Sequence, residues 1–272
     1  MMKNKNVLVT GYKGFIGTHL CKELSHRGAN VIGIDKEYGG ITNVSHLLGR
    51  ISDYIDYIFH LGAISSVPAC TENPEEAHKV NVTGTFNMLS AAVKHNVKGF
   101  VFASSSVVHD PKSMYAVTKV IGEAYCKFFD YTQRLPVVAA LRFFNVYGPG
   151  QSSNTAVIPN FIRSIKEHKK LQIEGSGSQI RDFVYVKDVV NAMIYAAENG
   201  INGCHDIGTG IGTDINSLAT LIACSMDRLP VRIKYTEART GDINTSVADK
   251  AVWFEPEYSL IKGLKETIAS WS

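Results

Sequence analysis

Short apolar runs alternate with longer amphipathic segments over the first 150 residues of the chain. The apolar runs predict strands at 6–10, 30–34, 57–63, 99–103 and 137–141. The amphipathic segments predict helices at 18–27, 74–96 and 113–131. Strands that are apolar at successive positions are buried on both faces, as in a parallel sheet covered by helices. The pattern therefore predicts an α/β fold with a doubly wound parallel sheet of the Rossmann type.

Beyond residue 151 the pattern changes, and strands no longer alternate regularly with helices. Helices are predicted at 156–169, 187–198, 215–225 and 259–270, and strands at 171–174, 181–186 and 231–235. We interpret this part as a smaller C-terminal α/β lobe. The predicted domains are 1–150, to which 181–207 return, and a substrate-binding lobe at 151–272.

A glycine-rich turn follows the first predicted strand. Gly11, Gly14 and Gly17 are three residues apart, a helical pattern follows them, and the second strand ends in Asp35. In a dinucleotide-binding unit such glycines allow a tight turn, approach of the backbone to a pyrophosphate and close helix packing. The first helical turn then offers free N–H groups to the phosphates. Because an acid at the end of the second strand binds the ribose hydroxyls, NAD is favoured over NADP.

A tyrosine and a lysine four residues apart predict a site for proton transfer. Tyr115 and Lys119 lie on one face of a predicted helix, so the ammonium is placed near the phenol. A positive charge lowers the pKa of a phenol, which otherwise titrates near pH ~10. Ser105 follows the strand at 99–103 and adds a hydroxyl. These three groups are suited to moving a proton on or off a carbinol oxygen.

Composition and charge exclude several other functions. The net charge of +3 and the scattered basic residues give no nucleic-acid footprint. The five cysteines are widely spaced, which indicates reduced thiols of a cytoplasmic protein and no metal site. We expect neither a signal peptide nor a membrane span. His60, in an apolar run, is expected to be a core residue, and Gly84 inside a helix indicates close packing.

The motifs together resemble one family. They occur in the order of that family along nearly the whole chain, at 10–17, 35, 60–63, 81–85, 104–106, 115–119, 141–151, 181–186 and 206–210. The chain resembles the extended short-chain dehydrogenase/reductases, in the NAD-dependent nucleotide-sugar epimerase/dehydratase branch. The resemblance implies an enzyme with NAD as its cofactor, a nucleotide-diphosphate sugar as its substrate and a homodimer formed by helices 74–96 and 113–131.

The resemblance also implies a role for individual residues. Tyr115 is the expected acid and base, Lys119 holds the nicotinamide ribose and lowers the pKa of Tyr115, and Ser105 binds the reacting C4 oxygen. The residues expected to bind the cofactor are Gly11, Gly14, Phe15, Ile16, Gly17, Asp35, Leu61, Ala63, Asn81, Tyr115, Lys119 and Phe144. The residues expected to bind the substrate are Ser105, Asn145, Arg181, Arg239 and Asp242.

The residues that follow Ser105 reduce the number of reactions that the family resemblance allows. Dehydratases and decarboxylases of this family carry an acidic group there, whereas this chain has Ser106 and Val107, which have no proton to exchange. A UDP-sugar 4-epimerase is therefore the favoured function. The alternatives are a one-way reductase of keto-sugar nucleotides and a non-catalytic NAD-binding protein.

The chain departs from the family pattern in two places. The family usually has Tyr-Gly where this chain has His109 and Asp110, and the following loop to Tyr115 is short. The segment 36–56 also has room for only part of a strand–helix unit. Asp53, in that segment, is a candidate for the acidic contact to adenine. The resemblance is therefore to a shortened member of the family.

Overall fold

The structure is a computed structural model that describes residues 2–36, 41–43, 54–152, 156–238 and 243–271. The chain divides into two compact units. The first comprises Met1–Phe143 and Val190–His205, and the second comprises Phe144–Val189 and Asp206–Ser272. The first cut is thus at residue 143, where the sequence analysis placed it at 150. The returning segment is 190–205, where the sequence analysis placed 181–207.

Twelve strands are described. They are β1 (Asn6–Thr10), β2 (Asn30–Ile34), β3 (Tyr57–His60), β4 (Gly99–Ser105), β5 (Val138–Phe143), β6 (Asn145–Tyr147), β7 (Leu171–Glu174), β8 (Ile180–Tyr185), β9 (Gly203–Ile207), β10 (Gly212–Asp214), β11 (Ile233–Thr236) and β12 (Thr245–Ser246). The α-helices in the same residues are α1 (Phe15–His26), α2 (Val67–Glu72), α3 (Pro74–His78), α4 (Gly84–Lys94), α5 (Met114–Tyr131), α6 (Val157–Lys166), α7 (Val186–Glu198), α8 (Ile215–Ser225) and α9 (Leu260–Ala269).

A six-stranded sheet forms the centre of the first unit, in the order β2-β1-β3-β4-β5-β9. The pairs between β1, β2, β3, β4 and β5 are all parallel. Leu8, Ile58 and Phe100 from three of these strands are buried in one core cluster with Met88 and Leu89 of α4. The predicted doubly wound α/β fold is confirmed.

The strand order explains where a ligand can bind. Consecutive strands run outward from β1 in both directions, so the order reverses between β1 and β3. Open parallel sheets bind ligands beyond the carboxyl ends of the strands at such a reversal. In the described part of the segment 36–56 the structure has a 3₁₀ turn at Ile41–Asn43 and no strand beyond β2.

The helix predicted at 74–96 is interrupted by one wide turn. It consists of α3, a π-helical turn at Lys79–Thr83, and α4, with the N–H of Gly84 donating to the carbonyl of Lys79 five residues back. A Cβ at Gly84 would lie 2.7 Å from the side chain of Ile41, which confirms the close packing predicted there. The apolar pattern predicted one continuous α-helix, whereas the π-helical turn adds one residue and rotates the side chains on its two sides by about 100° relative to that prediction.

The second unit contains two small sheets. In the larger sheet β8 lies between β10 and β12 and also pairs with β6, and in the smaller sheet β7 pairs with β11. Asp182 in β8 is fully buried and accepts hydrogen bonds from the N–H groups of Thr209, Gly210 and Ala248, and from the Thr209 hydroxyl. This carboxylate therefore fixes the loop after β9 to the central strand of the unit.

No helix among the described residues is both long enough and apolar enough to span a membrane.

Candidate active site

The glycine turn between β1 and α1 brings backbone segments unusually close together. Gly11 has φ +69°, and a Cβ there would lie 2.9 Å from the backbone nitrogen of Gly62. A Cβ on Gly17 would lie 2.2 Å from the carbonyl oxygen of Gly11, so the helix packs directly on the turn. Only glycine fits these two positions, and the result is a narrow backbone cradle at the carboxyl end of β1.

The first turn of α1 is open to an anion. Its N-cap is Gly14, which offers no capping side chain, and no acidic residue lies in the first turn of the helix. Unpaired N–H groups and the positive end of the helix dipole together favour a phosphate at this position. Asp35 lies beside the turn, with Oδ2 accepting from the N–H of Lys13 at 3.3 Å. These residues fit the pyrophosphate and ribose of a dinucleotide.

A hydrogen-bonded chain through His60 lies behind the cradle. The N–H of Gly62 donates to Thr10 Oγ1, which lies 2.8 Å from His60 Nδ1. His60 Nε2 lies 3.0 Å from Thr85 Oγ1, and that hydroxyl donates to the carbonyl of Asn81. Because the Thr85 proton is already used, His60 donates from Nε2 and accepts at Nδ1. Burial lowers the pKa of His60 to about 3, and the charge of Lys119 acts in the same direction. The expected core histidine is confirmed.

Asn81 lies in the π-helical turn and fixes the segment after β3. Its Oδ1 accepts from the N–H of Ile64, and its Nδ2 donates to the carbonyl of the same residue. Nδ2 also donates to Thr118 Oγ1, and this hydroxyl donates to the carbonyl of Tyr115. Leu61 and Ala63, expected to line the cofactor channel, belong to this fixed segment, and the N–H of Leu61 donates to the carbonyl of Thr10. The wide turn thus connects the cradle with α5.

The structure brings Ser105, Tyr115 and Lys119 together. Ser105 ends β4, and Tyr115 lies in the first turn of α5, which is capped by the Ser113 hydroxyl. Ser105 is hydrogen-bonded to the Tyr115 phenol. Lys119 Nζ donates to the carbonyl of Ala103 at 2.7 Å and lies 5.8 Å from the centroid of the Tyr115 ring. One hydroxyl, one phenol and one ammonium thus meet at the carboxyl end of β4.

Burial dominates the acidity of both ionisable groups in this trio. It raises the pKa of Tyr115 to about 12, and the hydrogen bond from Ser105 opposes this effect. It lowers the pKa of Lys119 to about 8, so the ammonium holds its proton at neutral pH. The lowering of the Tyr115 pKa that the spacing predicts is not present in the protein alone. It stays a prediction for the cofactor-bound enzyme, to which bound NAD would contribute a positively charged nicotinamide.

Phe15 and Ile16 are the first two residues of α1. The other predicted residues belong to the second unit or lie outside the described residues. Phe144 is buried, and its N–H donates to the carbonyl of Ile207. Asn145 in β6 pairs in register with Phe183 in β8, two residues after Arg181, so Asn145 and Arg181 are on adjacent strands. The residues outside the described part are Asp53, Arg239 and Asp242.

A buried ion pair beside the trio was not predicted from the sequence. Glu123 and Arg142 form two hydrogen bonds of 2.8 Å with each other, and the side chain of Glu123 is only 5% exposed. The available signal was the position of Glu123, four residues after Lys119 and therefore on the same face of α5. The glutamate would be unusual on a buried helix face without a partner.

Comparisons with known proteins agree with this geometry. The profile of the NAD dependent epimerase/dehydratase family matches residues 7–208. An uncharacterized UDP-glucose epimerase of Bacillus subtilis is 32% identical, over 97% of this chain and 96% of that protein. A UDP-N-acetyl-alpha-D-glucosaminuronate decarboxylase of Bacillus cytotoxicus is also 32% identical, over 97% of each chain.

A solved structure is similar over the whole chain. It is the UDP-N-acetylglucosamine 4-epimerase from Methanobrevibacter ruminantium M1 in complex with UDP-N-acetylmuramic acid, with a TM-score of 0.91 and 33% identity, over 99% of each chain. The alignments with the two Bacillus proteins run over 313 positions, more than the 272 residues of this chain, which agrees with the predicted shortened form. The chain therefore belongs to the NAD dependent epimerase/dehydratase family, which confirms the predicted family, enzyme class and cofactor.

Proposed function

We propose that the chain is a nucleotide-sugar 4-epimerase that acts on UDP-sugars, with Tyr115 as its acid and base. The observation that carries the proposal is the phenol of the half-buried Tyr115, hydrogen-bonded by Ser105 and next to the Lys119 ammonium. Ser106 and Val107, which follow on the 3₁₀ turn Ser106–His109, supply no second acid or base. A dehydratase or decarboxylase needs such a group, whereas an epimerase does not.

Each residue of the trio has a proposed part in the reaction. When bound, NAD supplies the acceptor and then the donor of the hydride at carbon 4 of the sugar. Tyr115 removes the proton from the C4 hydroxyl, and Ser105 hydrogen-bonds the same oxygen. Tyr115 returns the proton when the 4-keto sugar is reduced on its other face. The Lys119 charge favours the phenolate, which Tyr115 must be before it removes the proton and becomes again when it returns the proton.

The proposed binding residues divide between cofactor and substrate. We assign the cofactor to the glycine turn 11–17, to Asp35, to the segment 61–63, to Asn81 and to Phe144. The substrate is assigned to Ser105, to Asn145 and, through the diphosphate, to Arg181, because a guanidinium matches phosphate geometry. Asp242 and Arg239 complete the proposed set. UDP is favoured because all three similar proteins are named as enzymes of UDP-sugars.

The proposed assembly is a homodimer. Large apolar side chains of α4 and α5 remain exposed in the single chain: Phe86, Val117, Val120, Phe128 and Tyr131. The Phe86 ring also contacts the Tyr125 ring, which links these two helices. Exposed apolar groups on adjacent helices are typical of a protein interface. Light scattering after gel filtration should give twice the chain mass of 29.8 kDa, and Phe128→Lys should reduce it.

The proposed compartment is the cytoplasm. All five cysteines are free thiols in the structure, although Cys70 and Cys126 are buried. Free thiols persist where glutathione and thioredoxin keep the compartment reducing.

Proton NMR of the purified protein with a panel of UDP-hexoses, UDP-N-acetylhexosamines and UDP-uronic acids tests the activity. No cofactor is added, because an epimerase returns its hydride in every cycle. We expect one C4 epimer to accumulate without net NADH. Tyr115→Phe should abolish it, whereas Tyr125→Phe, on the same helix, should retain it. Loss of the carboxyl carbon from a UDP-uronic acid, or turnover only when stoichiometric NADH is added, would contradict the proposal.

A further inference from the structure

Glu123 connects α5 to the strand that carries Ser105. Ser104, directly before Ser105, donates its hydroxyl proton to Glu123 Oε1 at 2.7 Å. Arg142 of β5 is paired in register with Ser104 of β4, and its guanidinium holds both oxygens of the same carboxylate. One side chain of the helix is therefore bound by two adjacent strands. A fork of this kind fixes direction as well as distance.

Three successive turns of α5 bind three successive residues at the end of β4. Tyr115, Lys119 and Glu123 are four residues apart, so they form one stripe along the helix. In the same order they contact the hydroxyl of Ser105, the carbonyl of residue 103 and the hydroxyl of residue 104. The position of the helix along the strand therefore decides whether the phenol and the ammonium reach the reacting end of β4.

Gly122 lets the helix approach this closely. A Cβ on Gly122 would lie 2.6 Å from the ring of Phe102, which is buried in β4. A tight contact of this kind sets the distance between helix and strand but does not prevent sliding. The directional bonds of Glu123 supply the restraint along the axis.

We propose that Glu123 and Arg142 are positioning residues for proton transfer, because their ion pair holds α5 at the register in which Tyr115 meets Ser105. The inference rests on the proposed function for the identity of the reaction. It assigns no contact with substrate or cofactor to either residue.

Glu123 also acts on Lys119 through its charge. Burial lowers the pKa of Lys119, and Glu123 opposes this effect together with Cys70 and Cys126. His60 faces Lys119 from β3 and is neutral above its own low pKa. Arg142 partly balances the charge of Glu123 through its two hydrogen bonds to the carboxylate. Removing the Glu123 charge should therefore deprotonate Lys119 at lower pH and weaken its support of the phenolate.

The test compares Glu123→Gln with Glu123→Asp in the NAD-loaded enzyme. For Glu123→Gln we expect kcat to fall at least tenfold, KM for the UDP-sugar to stay within about twofold, and the alkaline midpoint of the kcat profile to move to lower pH. Because Glu123→Asp keeps the charge, its alkaline midpoint should lie close to the wild-type value. Glu23→Gln, which breaks the Glu23–Arg27 ion pair on α1, is the matched control and should change none of these values.

A second readout does not depend on turnover. Carbon-13 at Cζ of the 12 tyrosines gives a signal that Tyr115→Phe assigns, and its titration with pH follows the phenol directly. Glu123→Gln should raise the pH at which this signal titrates. The proposal is overturned if Glu123→Gln changes neither the Tyr115 titration nor the pH profile of kcat and lowers only the thermal stability. The ion pair would then have a purely structural role.

Two further variants keep the test decisive if Glu123→Gln does not fold. Ser104→Ala leaves the ion pair intact and removes its bond to β4, so we expect a three- to tenfold fall in kcat with unchanged KM. Arg142→Lys keeps the charge without the fork and should give a similar fall. Full activity in both variants would contradict positioning. If the wild-type enzyme epimerises no sugar, the proposed function fails, and the titration of Tyr115 still decides whether the pair positions the phenol.

Discussion

Two buried polar clusters contact the Phe102 ring, and they are built differently. In the first, His60 stacks on the ring and links two threonine hydroxyls in a neutral chain. In the second, Lys119 lies 4.6 Å from the centroid of the same ring and belongs to a charged stripe with Glu123. The neutral chain contains no group that titrates near pH 7. The charged stripe does, because burial brings the pKa of Lys119 to about 8.

The comparison shows how one sheet can combine rigidity with reactivity. A neutral chain in which each donor has one acceptor costs little to bury and holds the nucleotide cradle. Burying an ammonium costs free energy, and such groups are found mainly at functional sites, where the charge takes part in the chemistry. Substitutions can remove the charge, move the helix that carries it, or alter the neutral chain.

The largest effect is expected for Lys119→Met. Epimerisation should fall about 10³-fold, because both the cation beside Tyr115 and a cofactor contact are lost. The cofactor-free protein should at the same time be about 1–2 kcal/mol more stable at pH 7, since a desolvated ammonium is removed. Proton NMR measures the turnover, and urea unfolding measures the stability.

The pH dependence of the higher stability expected for Lys119→Met is a further check. Because the folded-state pKa of Lys119 lies below the ordinary value of 10.5, the unfolded chain binds more protons between pH 8 and 10.5. The unfavourable contribution of Lys119 is therefore complete below pH 8 and disappears as the pH rises to 10.5. The stability difference between Lys119→Met and wild type should shrink over this range. A constant difference would show that the burial of the charge is not its cause.

A smaller effect on activity is expected for Gly122→Ala. The added methyl group meets the Phe102 ring and must move α5 away from β4. We expect about a tenfold loss of kcat and a destabilisation of about 1–3 kcal/mol. Phe102→Leu in the same background should restore part of both. Activity of Gly122→Ala equal to wild type would mean that the separation of helix and strand does not matter for the phenol.

His60→Gln should change acid stability with little effect at neutral pH. The folded-state pKa of His60, about 3, lies below its ordinary value of 6.5. The neutral form therefore stabilises the fold fully above pH 6.5, and this contribution falls by up to about 1.4 kcal/mol per pH unit as the pH drops towards 3. Denaturation at pH 7, 5.5 and 4.5 should show a flatter decline for His60→Gln. An equal decline would exclude His60 as its cause.

The smallest effect is expected at the amino ends of the strands. Asp56 is buried, and its carboxylate accepts from Lys98 Nζ at 2.7 Å and from the N–H of Asn6. Burial raises the pKa of Asp56, but the bonds from Lys98 and Asn6 outweigh it and lower the pKa overall. Lys98→Met should slightly lower the stability at pH values above the ordinary aspartate pKa of 3.8 and have no effect once Asp56 is protonated. The turnover should be unchanged, which makes this variant a control for the two clusters.

The sequence predicted the parts of the fold that depend on local patterns. The apolar runs located β1 to β5, and the glycine spacing with Asp35 located the cradle, because both signals depend on neighbouring residues. β9 was missed as a strand because 203–207 holds Gly, His and Asp among its five residues. It forms because its neighbour β5 leaves an unpaired edge, and a single-chain pattern does not contain that tertiary cause.

The candidate site was predicted unevenly for the same reason. Tyr115 and Lys119 can be recognised in the sequence by their helical spacing, and Ser105 by its place at the end of a strand. The fork of Arg142 on Glu123 joins residues 19 apart in the sequence, and the contact of Asn81 with Thr118 joins residues 37 apart. Such pairs are brought together by the sheet register and by the π-helical turn, neither of which has a local signature.

The π-helical turn at Lys79–Thr83 also makes the chain sensitive to its own length. Each residue of a helix advances the side chains by about 100°, so one residue removed from this turn would convert it to an ordinary α-helical turn. Everything before the turn would then rotate relative to the buried face of α4. A single-codon deletion there would preserve helix content and overall composition while turning Asn81 away from Ile64. Deletions in surface loops should therefore disturb the protein less than the deletion of one residue from this helix.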